Sequence, residues 1–237
     1  MKILAIDGSG KVASVAVTED DNLVGEYTIN YKTTHSQTLL PMIEALTKLI
    51  ELDLKTLDAI AVSAGPGSFT GLRIGSATAK GLGLALNKPI VAVPSIDSMA
   101  MNLWGSNDYI CPLVDCRRKQ VYTGIYQFVE GKLTIIRPQC CELISDVVGQ
   151  VNDLGGKVIF LGDGAEVYKD YLKENLTCAY DFAPAHSNKQ RAASVAVLGA
   201  QLYAEGKFES AADHKPEYLR LAQAEAESQG KARDFTI

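Results

Sequence analysis

The chain has 237 residues, is 47% hydrophobic and 22% charged, and carries a formal net charge of −5. That balance describes a soluble globular protein with a sizeable core, and it argues against broad, salt-driven nucleic-acid binding by this chain alone. No apolar run reaches membrane-spanning length, and the apolar residues after Lys2 stop at Asp7, so neither a span nor a signal peptide is expected.

Residues 3–6 form a short apolar run ending at Asp7. Gly8-Ser9-Gly10 follows, then the run 12–17, the charged turn Glu19-Asp20-Asp21-Asn22 and the run 23–29. The pattern predicts three strands joined by tight hairpins. Residues 34–52 predict a helix in which Leu39, Ile43, Leu46 and Ile50 share one stripe. Leu40, Met42 and Leu49 widen that stripe, so burial on two sides is expected, either wholly within the domain or partly against a partner. Pro41 either begins this helix or kinks its first turn.

Residues 57–62 read as a buried strand running into Gly65-Pro66-Gly67, a sharp turn, and residues 70–86 read as the helix that leaves it. Backbone N–H groups at such a helix start can bind an anion. The P-loop lysine is missing, however, and Thr70 takes the place of the third glycine of a dinucleotide fingerprint. The plainer reading is a strand-to-helix turn capped by Ser68 or Thr70. In the helix, Gly71, Gly75, Ala79 and Gly83 recur every fourth residue and share one face. Each interior glycine costs about 1 kcal/mol relative to alanine, so the stripe predicts close approach of another element, in this chain or in another.

Residues 89–94 predict a strand and 95–103 a short helix capped by Ser95. Gly105-Ser106-Asn107-Asp108 reads as a boundary between an N-terminal half, 1–104, and a C-terminal half, 105–237. The pattern then starts again. Residues 109–114 end at Asp115, and Cys116-Arg117-Arg118-Lys119 occupies the hairpin. Residues 121–128 and 133–136 read as strands around the turn Glu130-Gly131-Lys132. A helix is expected over 142–151 and a strand over 158–161, followed by Gly162-Asp163-Gly164-Ala165 and a helix over 166–175. The order strand, strand, strand, helix, strand, Gly-x-Gly, helix thus occurs twice. A last helix is expected over 189–206, with Ala192, Ala193, Ala196, Leu198 and Leu202 on its apolar side. Residues 222–233 lack large apolar side chains and read as a solvated helix or a disordered tail.

The five cysteines include no C-x-x-C pair and suit reduced thiols in the cytoplasm. His35, His186 and His214 are too far apart for a local metal motif. No catalytic residue and no metal site are expected.

An aspartate closing the first strand of each repeat resembles the α/β actin, sugar-kinase and Hsp70 superfamily, a duplicated ribonuclease H-like fold of two βββαβα halves. More narrowly, residues 3–7, His35-Ser36-Gln37-Thr38-Leu39-Leu40-Pro41, the glycine stretch 65–75, residues 115–122 and Tyr218-Leu219-Arg220 together resemble the bacterial TsaB (YeaZ) family. Gly8 and Lys119-Gln120 depart from that family's usual residues. The resemblance implies a non-catalytic subunit supporting a TsaD-like catalytic subunit, with a TsaE-like ATPase, in adding threonylcarbamoyl to the adenosine beside the anticodon of tRNA. It implies self-pairing when the partner is absent, tRNA contact through the complex, and ATP or ADP only at the level of the complex. Leu39, Leu40, Ile43, Gly71, Leu72, Gly75, Ala79 and Gly83 are the expected partner surface. Asp7, Ser9, Gly10, Asp115, Gly162 and Gly164 are the candidate nucleotide-binding residues. The alternatives are an ATP-binding phosphotransferase-like enzyme, which would need Asp7 and Asp115 to hold a metal–nucleotide, and a peptidase-like enzyme, for which no H-E-x-x-H, Gly-x-Ser-x-Gly or Cys–His signature is present.

Overall fold

Two mixed five-stranded sheets pack against a shared helical layer. A computed structural model describes residues 1–31 and 34–219. In the first sheet, β1 (Lys2–Asp7), β2 (Ala13–Glu19) and β3 (Asn22–Ile29) form an antiparallel meander. Helix α1 (His35–Leu49) leads to β4 (Ala59–Gly65), which joins β1 in parallel, and α2 (Phe69–Leu86) leads to β5 (Ile90–Pro94). The strand order is β3-β2-β1-β4-β5. After α3 (Ser95–Ala100), the second sheet repeats the plan with β6 (Tyr109–Asp115), β7 (Gln120–Val129), β8 (Lys132–Leu143), α4 (Ile144–Asn152) and β9 (Val158–Leu161). Then come α5 (Asp163–Val167), α6 (Lys169–Asn175), β10 (Tyr180–Phe182) and α7 (Ala192–Ala204). Its order is β10-β9-β6-β7-β8.

Side chains alternate between the two faces of a strand, and in the central strands both faces are buried. Leu4 and Ile6 point toward α1 and α2, where Leu39, Ile43 and Leu46 meet them. Ile3 and Ala5 point the other way, toward Ala192, Val195 and Ala196 of α7. In the second half, Cys111 and Leu113 face the α4 to α6 side, while Ile110 and Val114 face Ile96 and Met99 of α3. Each half therefore covers the inner face of the other half's sheet with its own last helix. Small residues keep this middle layer thin; a Cβ on Gly199 of α7 would stand 2.6 Å from Ala61 Cβ of β4. The first sheet also caps α7, through Ser14 Oγ, which accepts from Ala192 N, and Glu26, which accepts from Ala193 N and the Arg191 guanidinium.

Several boundaries differ from the sequence expectation. Pro41 lies inside α1 rather than at its start. It is exposed, so the Gln37 carbonyl deprived of its usual donor faces water. Strand β8 continues through Pro138 to Leu143, and α4 begins only at Ile144. Proline is tolerated because β8 is an edge strand and its pairing with β7 shifts register at this place. The helix expected over 166–175 is divided at Tyr168, whose backbone leaves helical geometry (φ −103°) while its hydroxyl donates to Asp115. Strand β10 was not expected. Arg220 and the tail over 222–233 lie outside the described residues.

Candidate functional site

Ser68 is the cap of α2, its side chain accepting from Gly71 N at 3.3 Å. The glycine stretch packs against the first hairpin. Ser68 N donates to Ser9 O at 2.7 Å. A Cβ on Gly67 would lie 2.2 Å from Ser9 O, and one on Gly71 would lie 2.0 Å from Gly8 O. His35 Nε2 donates to Gly10 O at 2.9 Å, so α1 holds the same hairpin from its other side. Gly65, at φ +126°, leaves room for the carbonyl of Glu217, which would stand 2.2 Å from a Cβ there.

Close approach therefore occurs within the chain. Gly75 faces Val62 and Ile6, Ala79 is fully buried, and Gly83 faces Ala211 and Lys88. Leu39, Ile43 and Leu72 are buried as well. Of the eight residues expected to form a partner surface, only Leu40 is exposed. The small-residue stripe lets α2 sit tightly on its own sheet and is covered by the chain itself, so it is not an exposed partner surface. Exposed apolar side chains remain on both helices: Leu40 is 55% exposed and Leu49 71% exposed on opposite flanks of α1, and Leu84 is 62% exposed on the outer side of α2. Ala77, Gly81 and Ala85 share the outer side of α2, and nothing lies within 4 Å of a Cβ built on Gly81.

Between the sheets, at the strand ends, lies a cleft of about 620 Å3. Ser9 and Gly10 line one side, and Asp115, Cys116, Arg117 and Arg118 the other. The segment Glu217–Leu219 crosses it: Glu217 N donates to Ala64 O at 2.7 Å, and the Tyr218 ring lies 4.9 Å from that of Phe69. Arg73 stacks on Phe69 at 3.8 Å and donates to Tyr218 Oη at 3.1 Å.

The resemblance to nucleotide-binding actin-like enzymes implies a metal-bound nucleotide, and the residues here do not fit one. Asp7 is fully buried beneath the hairpin, with Oδ1 accepting from both Ser9 N and Ser9 Oγ and Oδ2 making no hydrogen bond. Burial pushes its carboxyl above the usual range, against the opposing Ser9 bonds. Gly162 and Gly164 do not line the cleft; a Cβ on either would meet the Leu113 backbone within 3 Å. Asp115 Oδ1 is already occupied by Arg117 N and Tyr168 Oη. Ser9, Gly10 and Asp115 thus reach the cleft, whereas Asp7, Gly162 and Gly164 serve packing. Among the described residues, no three metal-ligating side chains gather, and no helix is long and apolar enough to cross a membrane.

A duplicated α/β fold whose two hairpins face one cleft is the actin-like fold. At the fold level it is similar to component A of the (R)-2-hydroxyglutaryl-CoA dehydratase from Acidaminococcus fermentans (TM-score 0.52, 14% identity, 90% of this chain and 100% of that one). The chain belongs to the TsaB family. It is 34% identical to the tRNA threonylcarbamoyladenosine biosynthesis protein TsaB of Bacillus subtilis over 95% of this chain and 97% of that protein, and 30% identical to the Escherichia coli protein of the same name over 93% and 95%. Residues 22–228 match the family model for TsaD, tRNA N6-adenosine threonylcarbamoyltransferase. A Pseudomonas aeruginosa crystal structure, described as having similarity to peptidase YEAZ, superposes with a TM-score of 0.80 at 26% identity, covering 92% of this chain and 99% of that one.

Proposed function

We propose that this chain is a supporting, non-catalytic subunit in tRNA threonylcarbamoyladenosine formation, and that it docks a TsaD-like catalytic subunit on the outer faces of α1 and α2. The observation that carries this reading is the exposed apolar side of α2, where Ala77, Leu84 and Ala85 flank the open position at Gly81, together with the exposed Leu40 of α1. A partner built on the same plan suits it. The match of residues 22–228 to the TsaD model supports a partner with a comparable helix pair. Two related helix pairs can meet across a pseudo-twofold axis, each offering the equivalent face. The same geometry allows two copies of this chain to pair when the partner is absent. A TsaE-like ATPase and tRNA join through the complex, which works in the cytoplasm.

The buried Asp7 and the Leu113 backbone against Gly162 and Gly164 support a chain that binds no nucleotide by itself. ATP or ADP belongs to the assembled complex.

Leu40→Glu with Leu84→Glu tests the docking surface. Both side chains are exposed, so the isolated fold should keep its unfolding temperature. Binding to the TsaD-like subunit should weaken at least 100-fold by titration calorimetry, because two charges would be desolvated in an apolar contact. Full affinity in the double variant would exclude this surface.

A further inference from the structure

The hairpin between β6 and β7 has an unusual composition for its backbone. Arg117, Arg118 and Lys119 all have positive φ, at 68°, 56° and 56°. Gln120 N donates to Arg117 O at 3.0 Å, which places Arg118 and Lys119 at the centre of the turn. Tight hairpin turns with positive φ at both central residues favour asparagine and glycine, which enter that region at least cost. Here three long cations hold it instead. All three side chains are exposed, and among the described residues none of them forms an ion pair. Arg117 and Arg118 share the cleft rim with Lys11 of the first hairpin, whose Nζ lies 3.8 Å from Asp163.

We propose that the Arg117-Arg118-Lys119 turn, with Lys11 beside it on the cleft rim, contacts the phosphate backbone of RNA. The inference rests on the reading of this chain as a subunit of a tRNA-modifying complex, and it assigns that subunit a direct contact with the substrate. The rim suits an extended polyanion better than a small anion. The cations project into solvent, and the groups beneath them, Asp115 and Asp163, are carboxylates that would repel a phosphate drawn further in. Arginine also matches phosphate oxygens through paired N–H donors. The rest of the chain is acidic overall, with a net charge of −5, so a local basic turn also sets the orientation in which RNA can approach.

The test uses the full chain assembled with its TsaD-like partner and a fluorescent tRNA transcript, followed by anisotropy over a series of salt concentrations. Arg117→Gln/Arg118→Gln/Lys119→Gln should weaken binding about tenfold or more at low salt. It should also flatten the slope of log K against log salt by about 2 to 3, because each lost phosphate contact removes about 0.7–0.9. The charge-conserving Arg117→Lys/Arg118→Lys variant should keep the slope, which separates charge from any effect on folding. An unchanged affinity and slope in the glutamine variant overturns the proposal. So does a variant that loses binding of inorganic tripolyphosphate but not of tRNA, or one that no longer co-elutes with the partner while the wild type does. If the wild-type chain itself fails to co-elute, the subunit reading falls, and the same titration on the isolated chain still decides whether the turn contacts RNA.

Discussion

The Ser68 amide donates to the Ser9 carbonyl at 2.7 Å, and this bond fastens the glycine turn to the first hairpin. Around it, Gly67 and Gly71 bring two backbones closer than any side chain allows. The first hairpin is thereby held against the start of α2. The same contact buries Asp7 and leaves α2 presenting its other face outward.

The glycines of α2 should therefore divide by direction. Gly71→Ala places a methyl group 2.0 Å from Gly8 O, and a backbone atom cannot step aside cheaply. A loss of about 3 kcal/mol is expected. Gly81→Ala meets open space and should gain about 1 kcal/mol from helix propensity. Chemical denaturation of the two variants reads both signs. Gly75→Leu would push a large side chain toward Val62 and Ile6 and should destabilise the fold rather than probe an interface.

Asp7 should impose a pH dependence on stability. Its folded pKa is raised by burial, so the folded state binds more protons than the unfolded chain above pH 4 or so. The associated stability is fully present below the unfolded carboxyl pKa and is lost as pH rises through the folded value. Asp7→Asn keeps an oxygen to accept from Ser9 and removes the titration. Its stability should fall less than that of the wild type between pH 4 and neutrality, measured by denaturation at each pH. Identical profiles would contradict the burial account.

Tyr126 Oη donates to Asp97 Oδ1 at 2.7 Å where α3 meets the second sheet. Burial raises both groups, and the neighbouring Asp97 carboxylate raises the phenol further. Tyr126→Phe leaves that carboxylate without its donor and should cost about 1–3 kcal/mol. Adding Asp97→Asn should recover part of the loss, which a double-mutant cycle by thermal unfolding would detect.

The segment after α7 is held along α2 by a few identifiable groups. Glu209 and Ile90 exchange two backbone hydrogen bonds at 2.9 Å, and Lys80 Nζ donates to Ala212 O and His214 O. His214 is buried and its Nδ1 donates to Glu209 Oε1 at 2.7 Å. His214→Ala should cost about 2 kcal/mol through a cavity and the unpaired Glu209. Hydrogen exchange should quicken selectively over residues 207–219, with the sheets unchanged.

Much of this organisation was legible along the chain. The doubled strand and helix pattern, the aspartates closing β1 and β6, and the Ser68 cap all follow from local rules of periodicity and turn chemistry. Strand β10 was not legible because three residues carry too little pattern. Strand β8 runs on past Ile136, where the sequence expectation stops; proline ordinarily ends a strand, and the place of Pro138 at a sheet edge is what makes it acceptable.

The sequence by itself determined which residues share a face: Gly71, Gly75, Ala79 and Gly83 on one side of α2, and Leu4 with Ile6 opposite Ile3 with Ala5 in β1. It also carried the family membership, through the glycine stretch and its companions. Only the tertiary structure decided which way each face points, because helical and strand periods order side chains around an axis without orienting that axis in space. Packing onto Ile6 and Val62 turned the glycine stripe inward and left Leu40, Leu84 and Gly81 in solvent. Three-dimensional pairing likewise placed Glu217 over Gly65, 152 positions earlier in the chain, a contact that no local spacing encodes.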